Sequence, residues 1–119
     1  MDYKDVYRLS MEFSQSIWEL VQGWPRFAQD KIGKQIVRSS DSVSATLKEG
    51  FGRFFYKDRK QFYYYSRGSL EETCCWLDKS KGRNLINSEA YESLIKQYQQ
   101  LSFQINRIIK ETSTNTKYL

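Results

Sequence analysis

Between Lys48 and Arg67 the chain alternates cationic side chains with aromatic rings, a combination with a definite chemistry. This window holds six cations against two acids, so nearly all of the whole chain's net charge of +5 arises here. Lys and Arg side chains neutralise phosphates, and aromatic rings stack on unpaired bases. The candidate nucleic-acid-binding residues are Lys48, Arg53, Lys57, Arg59, Lys60 and Arg67. The alternative is a solvated or subunit-contact surface, on which the cations keep an aromatic-rich turn soluble.

Three consecutive tyrosines, Tyr63, Tyr64 and Tyr65, lie in the same window. Successive residues of an α-helix point about 100° apart, so this run spans about 200° and cannot all face one core. We therefore expect at least one of the three rings to point outward. An outward tyrosine favours a subunit interface over a base-stacking platform, because aromatic residues are enriched at interfaces. Both interpretations remain open on the sequence alone.

Enzymatic chemistry finds little support in the residue inventory. The chain contains no histidine, which removes the commonest general base and the commonest metal ligand. The segment Gly50-Phe51-Gly52-Arg53 matches neither the dinucleotide-binding glycine pattern nor the P-loop. We interpret Glu49 and Arg53 as a structural ion pair at this turn, or Glu49 as a carboxylate that accepts hydrogen bonds from the amides of the turn. The sequence therefore predicts no catalytic residue, no metal and no cofactor, with a carboxylate-based hydrolase as the remaining enzymatic alternative.

Helices must position these residues, because apolar side chains recur at helical spacing along the chain. Gly50 and Gly52 are predicted to end the second helix. Short connections make neighbouring helices antiparallel, which predicts an all-α fold, an up-down-up-down four-helix bundle over residues 1–111. The polar tail, residues 112–119, is expected to fray. The predicted helices cover residues 3–22, 28–49, 57–83, and from 87 or 88 onwards.

Gly68 stands in the middle of the third predicted helix, where glycine costs about 1 kcal/mol relative to alanine. A close approach between two helices would compensate for this cost, and the small side chain of Ser69 would help it. We therefore expect Gly68 and Ser69 to pack against a neighbouring helix.

Three segments carry a resemblance to a known family. The run from Gln35 to Val43 leads into Glu49-Gly50-Phe51-Gly52-Arg53, and Gly68-Ser69-Leu70-Glu71-Glu72 follows. Over residues 5–111 this pattern resembles the bacterial four-helix-bundle family of 23S rRNA intervening sequences. That family is often labelled S23 ribosomal protein and is similar to accessory proteins of diversity-generating retroelements. The resemblance implies a closed homopentamer with a basic surface and no established enzymatic activity.

The chain's size and hydropathy complete the expectations. Its 119 residues and 14.2 kDa correspond to one domain. No apolar run reaches the roughly 18 residues of a membrane span, and the charged N-terminus lacks a signal peptide's apolar region. We therefore expect a cytoplasmic protein without a membrane partner. The functional hypothesis is a non-enzymatic homo-oligomer that binds RNA or DNA; the alternative is a scaffold or adaptor that contacts only other proteins.

Overall fold

Four long helices form the described part of the protein. The computed structural model describes residues 2–115, with side chains for residues 2–112. Over this range there is no strand, and no helix is both long and apolar enough to cross a bilayer. The helices are α1, Tyr3–Gln22; α2, which runs continuously through α-helical Arg26–Ala28, π-helical Gln29–Gly33 and α-helical Lys34–Phe51; α3, Tyr56–Gly82; and α4, Ser88–Asn115.

The four helices surround one elongated core. Helix α1 contacts α2 and α4, and α3 contacts the same two helices, so the helices follow one another around the bundle. The predicted all-α, up-down-up-down four-helix bundle is therefore confirmed. The described body measures 51 × 23 × 19 Å. Each helix buries one apolar stripe, and the largest fully buried side chains include Phe13, Ile17, Ile36, Leu47, Leu70, Leu77, Leu101 and Ile105.

Hydroxyl groups join α2 to α3 along the length of their contact. The paired oxygens are those of Ser39 and Thr73 at 2.8 Å, Thr46 and Ser66 at 2.7 Å, and Ser69 and Ser42 at 3.0 Å. Short side chains let the two helices pack closely, while each hydroxyl finds a partner that removes the cost of burying it. Ser69 of α3 therefore packs against the neighbouring helix α2, as the sequence predicts.

Gly50 marks a closer helix approach, whereas Gly68 does not. A Cβ atom at position 50 would lie 2.9 Å from both Phe62 Cβ and Tyr63 Cε1. Gly68 is exposed, and a Cβ atom there would meet nothing within 4 Å. The predicted packing role of Gly68 is therefore wrong. The buried stripe of α3 passes through Tyr63, Ser66 and Leu70, and Gly68, about 200° around the helix from Leu70, faces outward.

Helix α4 also extends beyond its predicted end. The domain boundary was expected at residue 111, but α4 continues through Asn115. Ile108 and Ile109 are buried near this end, and the Thr112 hydroxyl donates to the Ile108 carbonyl at 2.7 Å. The two buried isoleucines pack this part of α4 against the bundle, and the hydroxyl bond lies within the helix. Residues 116–119 of the predicted frayed tail lie outside the described residues.

Alanine substitutions at the two glycines should have opposite effects. Gly50→Ala places a methyl group against Phe62 and Tyr63 and should lower the free energy of unfolding by about 1–3 kcal/mol. Gly68→Ala meets open space and should raise it by up to about 1 kcal/mol, because alanine is the better helix former. Urea denaturation of both variants measures the difference. Equal stability of the two would contradict this packing.

Candidate nucleic-acid interface

The turn between α2 and α3 is built by backbone hydrogen bonds and one arginine. Gly52 follows the last residue of α2, and its N–H donates to the Lys48 carbonyl at 3.1 Å. The Arg53 N–H donates to the Gly50 carbonyl at 3.1 Å. One turn into α3, Arg59 Nε donates back to the Arg53 carbonyl at 2.6 Å. The turn is therefore held from both of the helices that it connects.

The same end of the bundle gathers the start of α1 and the end of α4. The ring of Tyr3 stacks on that of Phe51, with centroids 3.9 Å apart and planes inclined by 8°. Burial raises the pKa of Tyr3, so its hydroxyl stays protonated throughout the physiological range. Beside these rings a cavity of about 160 Å³ is lined by residues of α1, α3 and α4, including Arg59 and Ile108. We call this end of the molecule the turn end.

All six predicted cations lie at or near the turn end, and five of them stand over aromatic rings. Such contacts contribute about 0.5–1 kcal/mol each at exposed sites and hold the charge in one direction. Lys57, the sixth, is exposed in the first turn of α3. The contacts, measured to the ring centroid, are Lys48 on Tyr7 at 5.1 Å, Arg53 on Phe62 at 4.5 Å, Arg59 on Tyr56 at 5.3 Å and Phe51 at 5.7 Å, Lys60 on Tyr64 at 5.6 Å, and Arg67 on Tyr64 at 5.0 Å.

Most of this positive charge is not balanced by a carboxylate. Within the described part of the chain, Arg53 alone among the six forms an ion pair, with Glu49 at 3.4 Å. Both side chains are about half exposed, and pairs of this kind contribute about 0–1 kcal/mol. The pair anticipated from the sequence is thus present as a weak structural contact. Five cations remain available to an anionic partner.

The three consecutive tyrosines occupy three different environments. Tyr63 is only 4% exposed, and its burial raises the pKa of the hydroxyl, an effect that the nearby Arg59 charge partly opposes. Tyr64 is half-buried beneath Lys60 and Arg67. Tyr65 is half exposed, as expected for one member of the run, and its ring meets Phe62 edge-on at 5.5 Å. Within the chain described here, Tyr63 is thus a core residue and offers no ring to a ligand.

Helix α4 adds a neighbouring surface that the sequence analysis did not identify. Arg67 Nη1 donates to Asn106 Oδ1 at 3.1 Å, which connects the basic face of α3 to α4. A groove of about 300 Å³ beside this bond is lined by Phe103, Asn106, Arg107 and Lys110. The signal in the sequence is a stretch without Asp or Glu, from residue 93 to residue 110. The antiparallel packing of α3 and α4 brings this stretch beside the cations of α3.

Carboxylates of α3 outside the turn end are bonded to tyrosines of α4. Asp78 accepts a hydrogen bond from the Tyr91 hydroxyl at 2.6 Å, and this bond raises the pKa of Tyr91 to about 12. Glu71 accepts from the Tyr98 hydroxyl at 2.7 Å; burial and this bond raise the pKa of Tyr98. Over residues 2–112, no three His, Cys, Asp or Glu side chains are grouped to hold a metal ion.

Comparisons with known proteins agree with this architecture. The family model described as 23S rRNA-intervening sequence protein matches residues 3–107. The chain belongs to this family. It is also similar to a crystal structure of a protein of unknown function from the S23 ribosomal protein family of Bacteroides thetaiotaomicron VPI-5482. That similarity has a TM-score of 0.83 and 25% identity, and covers 92% of this chain and 99% of the other. No curated protein matches. The resemblance inferred from the sequence motifs is confirmed.

In this chain Arg59 should stabilise the fold, whereas Lys57 should not. Arg59→Ala removes the bond to the Arg53 carbonyl and two ring contacts, and should cost roughly 1–2 kcal/mol. Lys57→Ala removes an exposed side chain and should change stability by less than about 0.5 kcal/mol. Thermal unfolding followed by circular dichroism compares them. An Arg59→Ala variant as stable as Lys57→Ala would show that the turn does not depend on Arg59.

Proposed function

We propose that this protein is a non-enzymatic homo-oligomer that binds RNA or DNA through the cations of its turn end. One observation carries the proposal: five of six clustered cations have no carboxylate partner among the described residues, and most are held over rings. A phosphate backbone is the partner that such a surface fits, because each cation that contacts a phosphate releases a condensed counterion. The family description refers to 23S rRNA, which favours RNA as the first partner to test.

Assembly would supply the affinity that one chain lacks. A single chain carries a net charge of only +5, whereas several linked copies would engage one strand at many points. Exposed apolar side chains such as Met11 and Trp18 on α1, 46% and 50% exposed, support contact between copies. The resemblance implies that this assembly is a pentamer. We place it in the cytoplasm, where the unpaired thiols of Cys74 and Cys75 would remain reduced.

A scaffold or adaptor function is the second candidate, and the exposed apolar residues favour it. Phe27, in the first turn of α2, and Phe54, in the turn between α2 and α3, are 74% and 79% exposed and lie outside the core. Exposed aromatic rings of this size also suit contacts with another protein. The two functions differ in one respect: a scaffold needs no affinity for nucleic acid.

The proposed assembly has a direct test. Light scattering of the purified protein at micromolar concentration should give a mass several times the 14.2 kDa of one chain. The double variant Met11→Ser, Trp18→Ser should reduce that mass if these side chains lie between copies, because it removes apolar area from the contact. A monodisperse wild-type monomer would remove both the assembly and the argument from multiple attachment.

Salt dependence tests nucleic-acid binding. Affinity for RNA or DNA should fall steeply with salt, with a slope of log K against log[salt] of about −0.7 to −0.9 per neutralised phosphate. Lys57→Glu with Lys60→Glu should weaken binding to every sequence alike and flatten the slope. Fluorescence anisotropy at several salt concentrations measures both quantities.

The matched control for this experiment is Lys31→Glu with Lys34→Glu. Both pairs are spaced three residues apart, and both double variants change the net charge by the same amount. Lys31 and Lys34, however, lie in the first half of α2, away from the turn end. Equal loss of affinity in both double variants would mean that only net charge matters. If the wild-type protein at low salt shows no micromolar affinity for single- or double-stranded RNA or DNA, the scaffold function replaces this proposal.

A further inference from the structure

Phe103 is an exposed aromatic ring that neither stacks on another ring nor carries a cation among the described residues. Its side chain is 67% exposed on α4. Other exposed rings near the turn end contact a second ring edge-to-face: Phe54 meets Phe55 at 5.0 Å, and Tyr65 meets Phe62 at 5.5 Å. Stacking on a base requires an open ring face. Phe103 meets this requirement better than the tyrosine run that the sequence suggested.

The surroundings of Phe103 are basic and rich in amides. It shares a groove with Asn106 and Lys110, and Arg67 of α3 reaches the same groove through its bond to Asn106. Lys110 is exposed and forms no ion pair among the described side chains. Arg107, which also lines the groove, is bonded to Glu111 at 2.6 Å, so Lys110 and Arg67 supply most of the net positive charge beside the ring.

We propose that Phe103 stacks on an unpaired base of a single-stranded nucleic acid whose phosphates contact Lys60, Arg67 and Lys110. This inference rests on the proposed function and specifies its ligand as single-stranded. Asn106 Oδ1 is occupied by Arg67, which leaves the Asn106 amide N–H groups free to donate to a base or a phosphate. The phosphates follow the groove on α4 and the neighbouring cations of α3, and the base lies on the ring.

Charge distinguishes this ligand from a protein partner. The centre of a protein–protein interface is depleted in Lys, whereas Lys110 lines the groove beside this ring and Arg67 is bonded to Asn106 of the same groove, both without carboxylate partners among the described residues. No Asp or Glu occurs in α4 from residue 93 to residue 110. A base-stacking ring requires this combination of an open aromatic face and nearby positive charge.

The test compares Phe103→Ala with Phe27→Ala. Phe27 is a matched control, because it is 74% exposed and lies near a lysine, Lys31 Nζ being 5.8 Å from its centroid, but it stands away from the turn end. The probes are a fluorescent oligouridylate and a duplex RNA of the same length. Phe103→Ala should weaken binding to the single strand by about 5- to 150-fold, the range measured for loss of one base–aromatic stack, and leave duplex binding nearly unchanged. Phe103→Tyr should retain the affinity, and Phe27→Ala should resemble the wild type.

Each other outcome overturns a defined part of the argument. If Phe103→Ala binds the single strand as Phe27→Ala does, Phe103 is not a stacking residue, although the salt-dependent binding stands. An equal loss on single strand and duplex would assign Phe103 to a general contact and overturn the inference. A fall in mass by light scattering, with unchanged helical content, would place Phe103 between copies of the chain instead. If the wild type binds neither probe at low salt, the proposed function itself fails.

Discussion

The packing of α2 against α3 determines where the residues of the turn end lie. Three hydroxyl pairs fix the register of the two helices, and Gly50 lets α2 approach the side chains of Phe62 and Tyr63 at the end of the contact. A larger residue at position 50 would push the start of α3 away from α2. The turn between them, and the Arg59 side chain that closes it, would then lose their geometry. The arrangement of cations therefore depends on a contact that contains no charge.

The ring contacts give these cations a particular physical character. A free lysine or arginine side chain loses up to about 2 kcal/mol of rotamer freedom when it is fixed on a ligand. Arg53 and Arg67 are already held over rings in the folded chain, so part of this loss occurs on folding rather than on binding. Because these side chains are ordered before a ligand binds, affinity rises without additional contacts.

The structural relative shares the fold, and its function is unknown, so the argument for binding comes from the residues of this chain.

The helices could be predicted where apolar periodicity is unambiguous. Helix α1 begins and ends where its stripe of Val6, Phe13 and Ile17 predicted. In α3, consecutive aromatic residues from 62 to 65 satisfy several helical stripes equally well, so the sequence could not decide between Phe62 and Tyr63 as the buried ring. The error at Gly68 has another origin: a glycine in mid-helix was taken to require a close helix contact, whereas this one faces open space. The cations were predictable because charge is a property of the residue, whereas the surface around Phe103 was not, because it depends on which turns of α3 and α4 meet.

The buried hydroxyls between α2 and α3 also affect how stability changes with temperature. Buried Ser39, Ser66 and Thr73 occupy core positions that larger apolar side chains could fill. Unfolding exposes apolar surface, which raises the heat capacity, and polar surface, which lowers it. A core with this share of hydroxyls should have a heat-capacity change of unfolding below the usual value of about 12–15 cal/mol/K per residue. The free energy of unfolding would then vary only gently with temperature, and the helix packing that supports the turn end would persist over a broad thermal range.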